Sequence, residues 1–311
     1  MEKIRYNHLN NYLKKMFGER TLKVCIDGGF TCPNRDGSVA SGGCIFCGRF
    51  GAGDLIKYKC DSVLDSIKSQ VDGFLNSYRG DRANKFIAYF QSFTSTYDTI
   101  ENLKIKYDTA LGSSEKFVGL ELATRPDCIN EEIVKLLSSY KKNYYVCVEL
   151  GFQTANNNIG KIINRGYSSE QFVRAVEILH KYNIPVVAHI MVGLPNETPK
   201  DILLTVKMIN DCNCEGVKIH STYIMKDTQL AKMFNDGKYV PISQEYYIEQ
   251  VGIIMSNLNS NIIVHRINAD PPKDELVAPE WVLHKKRVIN AINQYLDVHD
   301  IMQGMSLNGL S

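Results

Sequence analysis

The chain has 311 residues, 44% hydrophobic and 23% charged, with a formal net charge of +2; that is enough apolar chain for a large core, and α/β barrels of this size can form one domain. A nearly neutral balance neither demands nor excludes a nucleic-acid partner. No run reaches the ~18 apolar residues of a membrane span, and the polar start Met1-Glu-Lys-Ile-Arg5 lacks a signal-peptide apolar stretch.

In chain order, residues 1–20 carry Tyr6, Leu9, Tyr12, Leu13 and Phe17 as a helical stripe. Leu22–Ile26 predicts a strand that enters a loop through Gly28 and Gly29. Asp61 to about Tyr78 reads as helix, Phe86–Phe90 as strand and Ile100–Leu111 as helix. Phe117–Leu122 is strand, followed by a helix over Asn130–Tyr140 with Asn130 as N-cap and Glu131 and Glu132 in its first turn. Tyr145–Leu150, Pro185–Val192 and Val217–Tyr223 are strands. Helices are predicted over Ser169–Lys181, from Thr198 (the cap, with Pro199 at N1) to Asn210, and over Gln229–Phe234. Six strand–helix units with nearly continuous apolar strands predict an α/β fold, a parallel sheet covered by helices. Residues 1–240 form this core. Residues 241–311 extend the same domain, with a helix over Ser243–Leu258, a strand at Ile262–Arg266, a proline-interrupted surface loop and a helix from Trp281 to Leu296.

The segment from Cys32 to Cys47 places Cys32, Cys44 and Cys47 in a run rich in Gly, Ser, Asn and Asp, an ordered loop rather than an element. Thiolates on such a loop suit a soft metal. A structural zinc site wants two paired ligand sets, and here one C-x-x-C pair stands with one outlying cysteine. Three thiolates on a 4Fe-4S cluster leave one iron open, unlike the four-cysteine norm, and Phe46 can cover that iron with an apolar ring. Nine cysteines without a secretory signal argue against disulfides and for a reducing cytoplasm. In a parallel barrel, function gathers at the carboxyl ends of strands. Gln91 and Ser92, Thr124-Arg-Pro-Asp127, Gln153 and Thr154, Gly193-Leu-Pro195 and Tyr223 all fall there.

Three further blocks, Val148-Glu-Leu-Gly-Phe-Gln153, Asn164-Arg165-Gly166 and Ala188-His-Ile-Met-Val-Gly-Leu-Pro195, make the layout resemble the radical S-adenosylmethionine (SAM) superfamily. With Thr124–Asp127 they resemble the radical SAM domain of the catalytic subunit of Elongator; the first two also resemble oxygen-independent coproporphyrinogen oxidase. The long gap between Cys32 and Cys44, and Gln303-Gly304 near the end, are most similar to stand-alone YhcC/YtqA-type proteins. The resemblance implies a partial (βα)6 TIM-like barrel with a C-terminal α/β extension. It implies a 4Fe-4S cluster on Cys32, Cys44 and Cys47, with the amino and carboxylate groups of SAM on the fourth iron. Reductive cleavage of SAM then yields a 5′-deoxyadenosyl radical, the cofactors carrying the hard step while the protein orients and excludes water.

The same resemblance places Gln153, Arg165 and His189 against SAM, with Phe46, Gln91, Ser92, Thr124, Arg125, Gly193 and Leu194 as further cofactor-binding positions. Arg165 either forks onto a carboxylate or caps a helix end, and His189 either bonds a ribose hydroxyl or sits satisfied in the core. Related families carry a glutamate where this chain has Ala123; Glu121 lies on the same strand face and is the candidate replacement. Glu149 is a general acid/base or a cap. Tyr223 is a radical donor or an ordinary packed tyrosine. The Elongator resemblance points to tRNA wobble uridine, with work on its C5 side chain such as carboxymethylaminomethyl to aminomethyl. Lys14, Lys15, Arg20, Lys23, Lys285, Lys286 and Arg287 either line a phosphate track or form a solvated face. The alternatives are a radical SAM enzyme acting on a small molecule and a non-enzymatic zinc-binding module. An electron donor is also implied.

Overall fold

The computed structural model describes residues 4–48, 51 and 60–307; the polar start Met1–Lys3 lies outside them. Six strands pair in sequence order, all parallel: β1 (Thr21–Ile26), β2 (Lys85–Phe90), β3 (Phe117–Thr124), β4 (Tyr145–Gln153), β5 (Val186–Val192) and β6 (Gly216–Ser221). The short β7 (Ile224–Met225) leaves this sheet, and β8 (Ile263–Arg266) returns to pair parallel with β6 as the seventh strand. Most of the strand–helix alternation stands as expected, in α1 (Leu9–Phe17), α2 (Val63–Leu75), α3 (Ile100–Gly112) and α4 (Glu131–Tyr140). Next come a short α5 (Asn157–Ile162), α6 (Ser169–Lys181), α7 (Pro199–Asp211), α8 (Gln229–Asn235), α9 (Gln244–Asn257) and α10 (Lys285–Val298).

Local chemistry sets several helix starts. Asn130 Oδ1 accepts from Ile133 N at 2.9 Å, and Thr198 closes a capping box with Asp201 ahead of Pro199. Two expectations need correction. The proline-interrupted stretch is not all loop: β9 (Leu276–Ala278) pairs antiparallel with β7. The first helix is also shorter than the apolar stripe, because its cap is His8, which accepts from Asn10 N, and Tyr6 lies before it.

Each strand presents alternate residues to two environments. One face, including Val24, Phe90, Leu122, Val148, Ile190 and Ile219, is buried in the core with helix residues such as Phe172, whose ring stacks on Phe152 at 4.0 Å. Each such side chain contributes roughly 1.5–3 kcal/mol of burial. The other face carries Lys23, Tyr89, Glu121, Glu149, His189, Lys218 and His265. The sheet curls until its edges meet through those inner side chains: Lys23 Nζ on β1 lies 3.4 Å from His265 Nδ1 on β8. Helix α1 spans the seam, touching both β1 and β8, and Val264 N donates to Asn7 O at 2.7 Å. No helix among the described residues is long and apolar enough to cross a membrane.

Candidate functional site

A cavity of about 480 Å³ opens on the inner face of the curl, and Cys32, Cys44 and Cys47 line it together. Their loop is pinned from outside. Asn34 Nδ2 donates to Asn164 O at 2.6 Å, and Asn164 Nδ2 returns a bond to Gly43 O at 2.8 Å. Ile45 N donates to Ile163 O, and Leu230 N to Ile45 O. Arg35 donates to Cys47 O at 2.9 Å and to Gly48 O. Gly166 must be glycine here: its φ is +81°, and a Cβ would stand 2.7 Å from Asn34 Oδ1.

The donor set fits an iron–sulfur cluster. All three cysteines are half-buried, and among the described residues none of them is in a disulfide. Burial, with Cys47 and Cys32 alongside, pushes the Cys44 thiol up to about 12. A thiol raised in this way gives up its proton readily only when a metal supplies positive charge. Asn34 Nδ2 also lies 3.6 Å from Cys44 Sγ, where it can donate to a ligating sulfur.

Around the thiols the cavity wall gathers many of the anticipated positions: Phe46, Gln91, Thr124, Arg125, Glu149, Gln153 and His189. Gln153 reaches it through a kink, where β4 shifts register after Gly151 and Gln153 takes φ +59°; Tyr167 OH stands 2.7 Å from Gln153 Oε1. Thr124 Oγ1 is fixed at 2.6 Å by Thr96. Arg125 pairs in a fork with Asp127, at 2.9 and 2.7 Å. Other positions lie elsewhere. Ser92 is buried with its hydroxyl unpartnered, Gly193 and Leu194 line a separate hollow beside Glu197, and Tyr223 is half-buried between β6 and β7, outside the cavity lining.

Arg165 is a correction. It is completely buried and faces no ligand space. Its guanidinium donates to the carbonyls of Phe152, Thr154 and Tyr167 at 2.6–3.0 Å, and to Asn157 Oδ1 at 3.2 Å. The Asn164–Arg165–Gly166 block therefore braces the kinked end of β4 and the cysteine loop. Arg165→Lys is expected to lower the unfolding free energy by about 2 kcal/mol or more, because an ammonium cannot serve acceptors spread around a planar fork; chemical denaturation measures it.

Glu149 is the hub of the inner wall. Fully buried, it accepts at Oε2 from Lys218 Nζ (2.5 Å), His189 Nε2 (2.7 Å) and Tyr89 OH, and at Oε1 from Lys23 Nζ (3.0 Å). Burial alone would raise its pKa, but Lys218, Lys23 and His189 hold it well below the usual carboxylate range. A carboxylate so surrounded is a fixed anion and not the general acid/base entertained from sequence. His189 is thus tied to Glu149 while still lining the cavity. Glu121 lies behind this wall, 2.6 Å from Lys23 Nζ, and burial pushes it up to about 8. Glu121, Glu149 and His265 converge as metal ligands do, but the Lys23 ammonium already stands among them.

Lys23 is a second correction: its ammonium lies inside the curl, so it belongs to no surface phosphate track. Sequence reasoning missed Lys23, Tyr89 and His265 as inner-wall residues. The available signal was parity, since Lys23 and Cys25 share one face of β1, as Lys218 and His220 share one face of β6.

The family model described as "Radical SAM superfamily" matches residues 39–209, and "Radical_SAM C-terminal domain" matches residues 214–297. YtqA of Bacillus subtilis is 36% identical over 300 residues, covering 96% of this chain and 92% of its own. The tRNA uridine(34) acetyltransferase of Methanocaldococcus jannaschii is 28% identical over 193 residues, 61% of this chain and 34% of its own. The structure of Methanocaldococcus infernus Elp3 with an N-terminal deletion aligns with TM-score 0.66 at 20% identity, covering 91% of this chain and 64% of that one. The last likeness is one of fold.

Proposed function

This chain belongs to the radical SAM superfamily, whose cofactors are a 4Fe-4S cluster and SAM, and from that premise we propose that it modifies the C5 side chain of tRNA wobble uridine, converting carboxymethylaminomethyl to aminomethyl. Loss of a hydrogen atom and one further electron from the carbon between amine and carboxylate, with SAM as the two-electron acceptor, would give an imine; its hydrolysis breaks the N–C bond, leaves the amine on the base and releases the two carbons as an oxo acid. The observation that carries the enzymatic part is the convergence of Cys32, Cys44 and Cys47 on one cavity with Gln153 and His189. The similarity to a tRNA uridine(34) acetyltransferase supports the substrate class.

Cys32, Cys44 and Cys47 would hold the cluster, and Phe46 would shield it from solvent. When bound, the cluster and SAM supply hydrogen-atom abstraction from an unactivated carbon. The chain's own part is placement. Gln153 and His189 offer amide and imidazole hydrogen bonds to a ribose, and Thr124 offers a hydroxyl at the end of β3. Glu149 fixes the His189 ring.

The test compares modified nucleosides in tRNA from cells with and without the protein. The expected result is accumulation of the carboxymethylaminomethyl form and loss of forms built on aminomethyl when the protein is missing. An unchanged profile overturns the tRNA assignment in favour of a small-molecule substrate.

A further inference from the structure

We propose that the β6–β8 wall of the cavity is a receptor for a carboxylate carried by the substrate, built by Lys218 and Arg266 with His220 beside them. The inference deepens the reading above and rests on it for the identity of the carrier.

Lys218 and Arg266 are register partners on neighbouring strands, and both line the cavity. Lys218 Nζ spends one N–H on Glu149 and one on the Tyr89 hydroxyl at 3.0 Å; its third has no protein partner among the described residues. Among the described residues Arg266 pairs only with Asp270, a long contact at 3.7 Å from Nη2, and Asp270 is itself held at 2.6 Å by Lys285. His220 adds a buried Nε2 with no hydrogen-bond partner among the described residues, and burial, with Arg266 and His189 nearby, keeps its ring neutral. A buried polar atom left unpaired is costly unless a ligand or water completes it.

Charge points the same way. Among the described residues, seven lining side chains are Lys or Arg against two carboxylates, in a chain whose net charge is only +2. The deeper cations are already matched, Lys23 with Glu121 and Arg125 with Asp127, whereas Lys218 and Arg266 keep donors to offer on β6 and β8. A flat guanidinium beside an ammonium suits a carboxylate, which can accept from both at once. That chemistry is carried either by a carboxymethylamino group on a tRNA base or by a free N-substituted amino acid.

The test measures affinity of the reconstituted full chain for tRNA bearing 5-carboxymethylaminomethyluridine and for the same tRNA with that carboxylate as its methyl ester. Wild-type protein is expected to prefer the acid by roughly 10- to 100-fold. Arg266→Gln, at a half-exposed position, and Lys218→Gln should each shrink that preference several-fold. Equal affinity of the wild type for acid and ester, or an unaltered preference in both variants, overturns the receptor and leaves the tRNA reading standing. If neither tRNA binds but the free modified nucleoside binds through its carboxylate, the tRNA reading falls and the receptor stands. Binding of none of the three overturns both.

Discussion

Replacing Cys47 with alanine is expected to reduce cluster content and release of 5′-deoxyadenosine under dithionite to background, while leaving the barrel folded. Three thiolates are the minimum this loop offers. Removing one leaves two iron corners without protein ligands, and neither Cys25, on the β1 wall of the cavity, nor Cys60, exposed beside Ser69, belongs to the cysteine loop. The fold should survive because the bonds that shape the loop here run through its main chain. Cys47 N donates to Cys44 O at 3.0 Å, and Arg35 donates to Cys47 O. Anaerobic reconstitution, iron content, visible absorption and thermal unfolding check it. The expected Tm shift is no more than about 2–4 °C. A variant with wild-type absorption and SAM cleavage would sink the ligand assignment.

Glu149→Ala should be the most destabilising single change on the inner wall, by about 3–5 kcal/mol. Deleting the carboxylate leaves the Lys218 ammonium without its anion and Lys23 with Glu121 alone, and His189 loses the acceptor that orients it. The acid response gives a second reading. Glu149 has a folded pKa well below normal, so its stabilisation is complete above the unfolded value of about 4.3 and is lost as pH falls through the folded one. Burial and Lys23 push His265 down to about 3. Its unfolded form takes a proton below about 6.5, so stability also drops between there and 3. Glu121, raised to about 8, works in the opposite sense from pH 8 to about 4.3, where the folded state holds the extra proton. Below about 4.3 only the first two act, and wild-type stability should fall steeply. Urea denaturation across that range should show a shallower acid slope in Glu149→Ala; an identical slope would remove Glu149 from the hub.

The alternation of six strand–helix units was legible because the strands' outward residues are apolar and their helices carry strong caps such as Asn130 and Thr198. Strand ends were read short for an instructive reason. β3 continues to Thr124 and β4 to Gln153, but Thr124, Gly151 and Gln153 line the cavity, and such polar or glycine residues imitate loop. The six-residue α5 was hidden behind Asn156-Asn-Asn and an internal Gly160. Lys23 was assigned outward because period-two patterning gives two faces without saying which is inside. Only its pairing with Glu121 and Glu149, each about a hundred residues away in sequence, decides the matter. Arg165 carried a recognisable motif, yet its partners are main-chain carbonyls that no side-chain pattern advertises.

The outer border of β8 illustrates how the two tails cooperate. An unpaired strand border invites another chain to dock there, and here Asn7 and His8 occupy it by pairing with Val264. Gln303 then locks the arrangement, accepting from Asn7 N at 2.8 Å and donating to the carbonyls of Asn259 and Ile262. Cutting the protein just ahead of Gln303 should therefore loosen a segment nearly three hundred positions upstream, uncover a sticky rim and favour self-association, although the residues removed lie far from the chemistry.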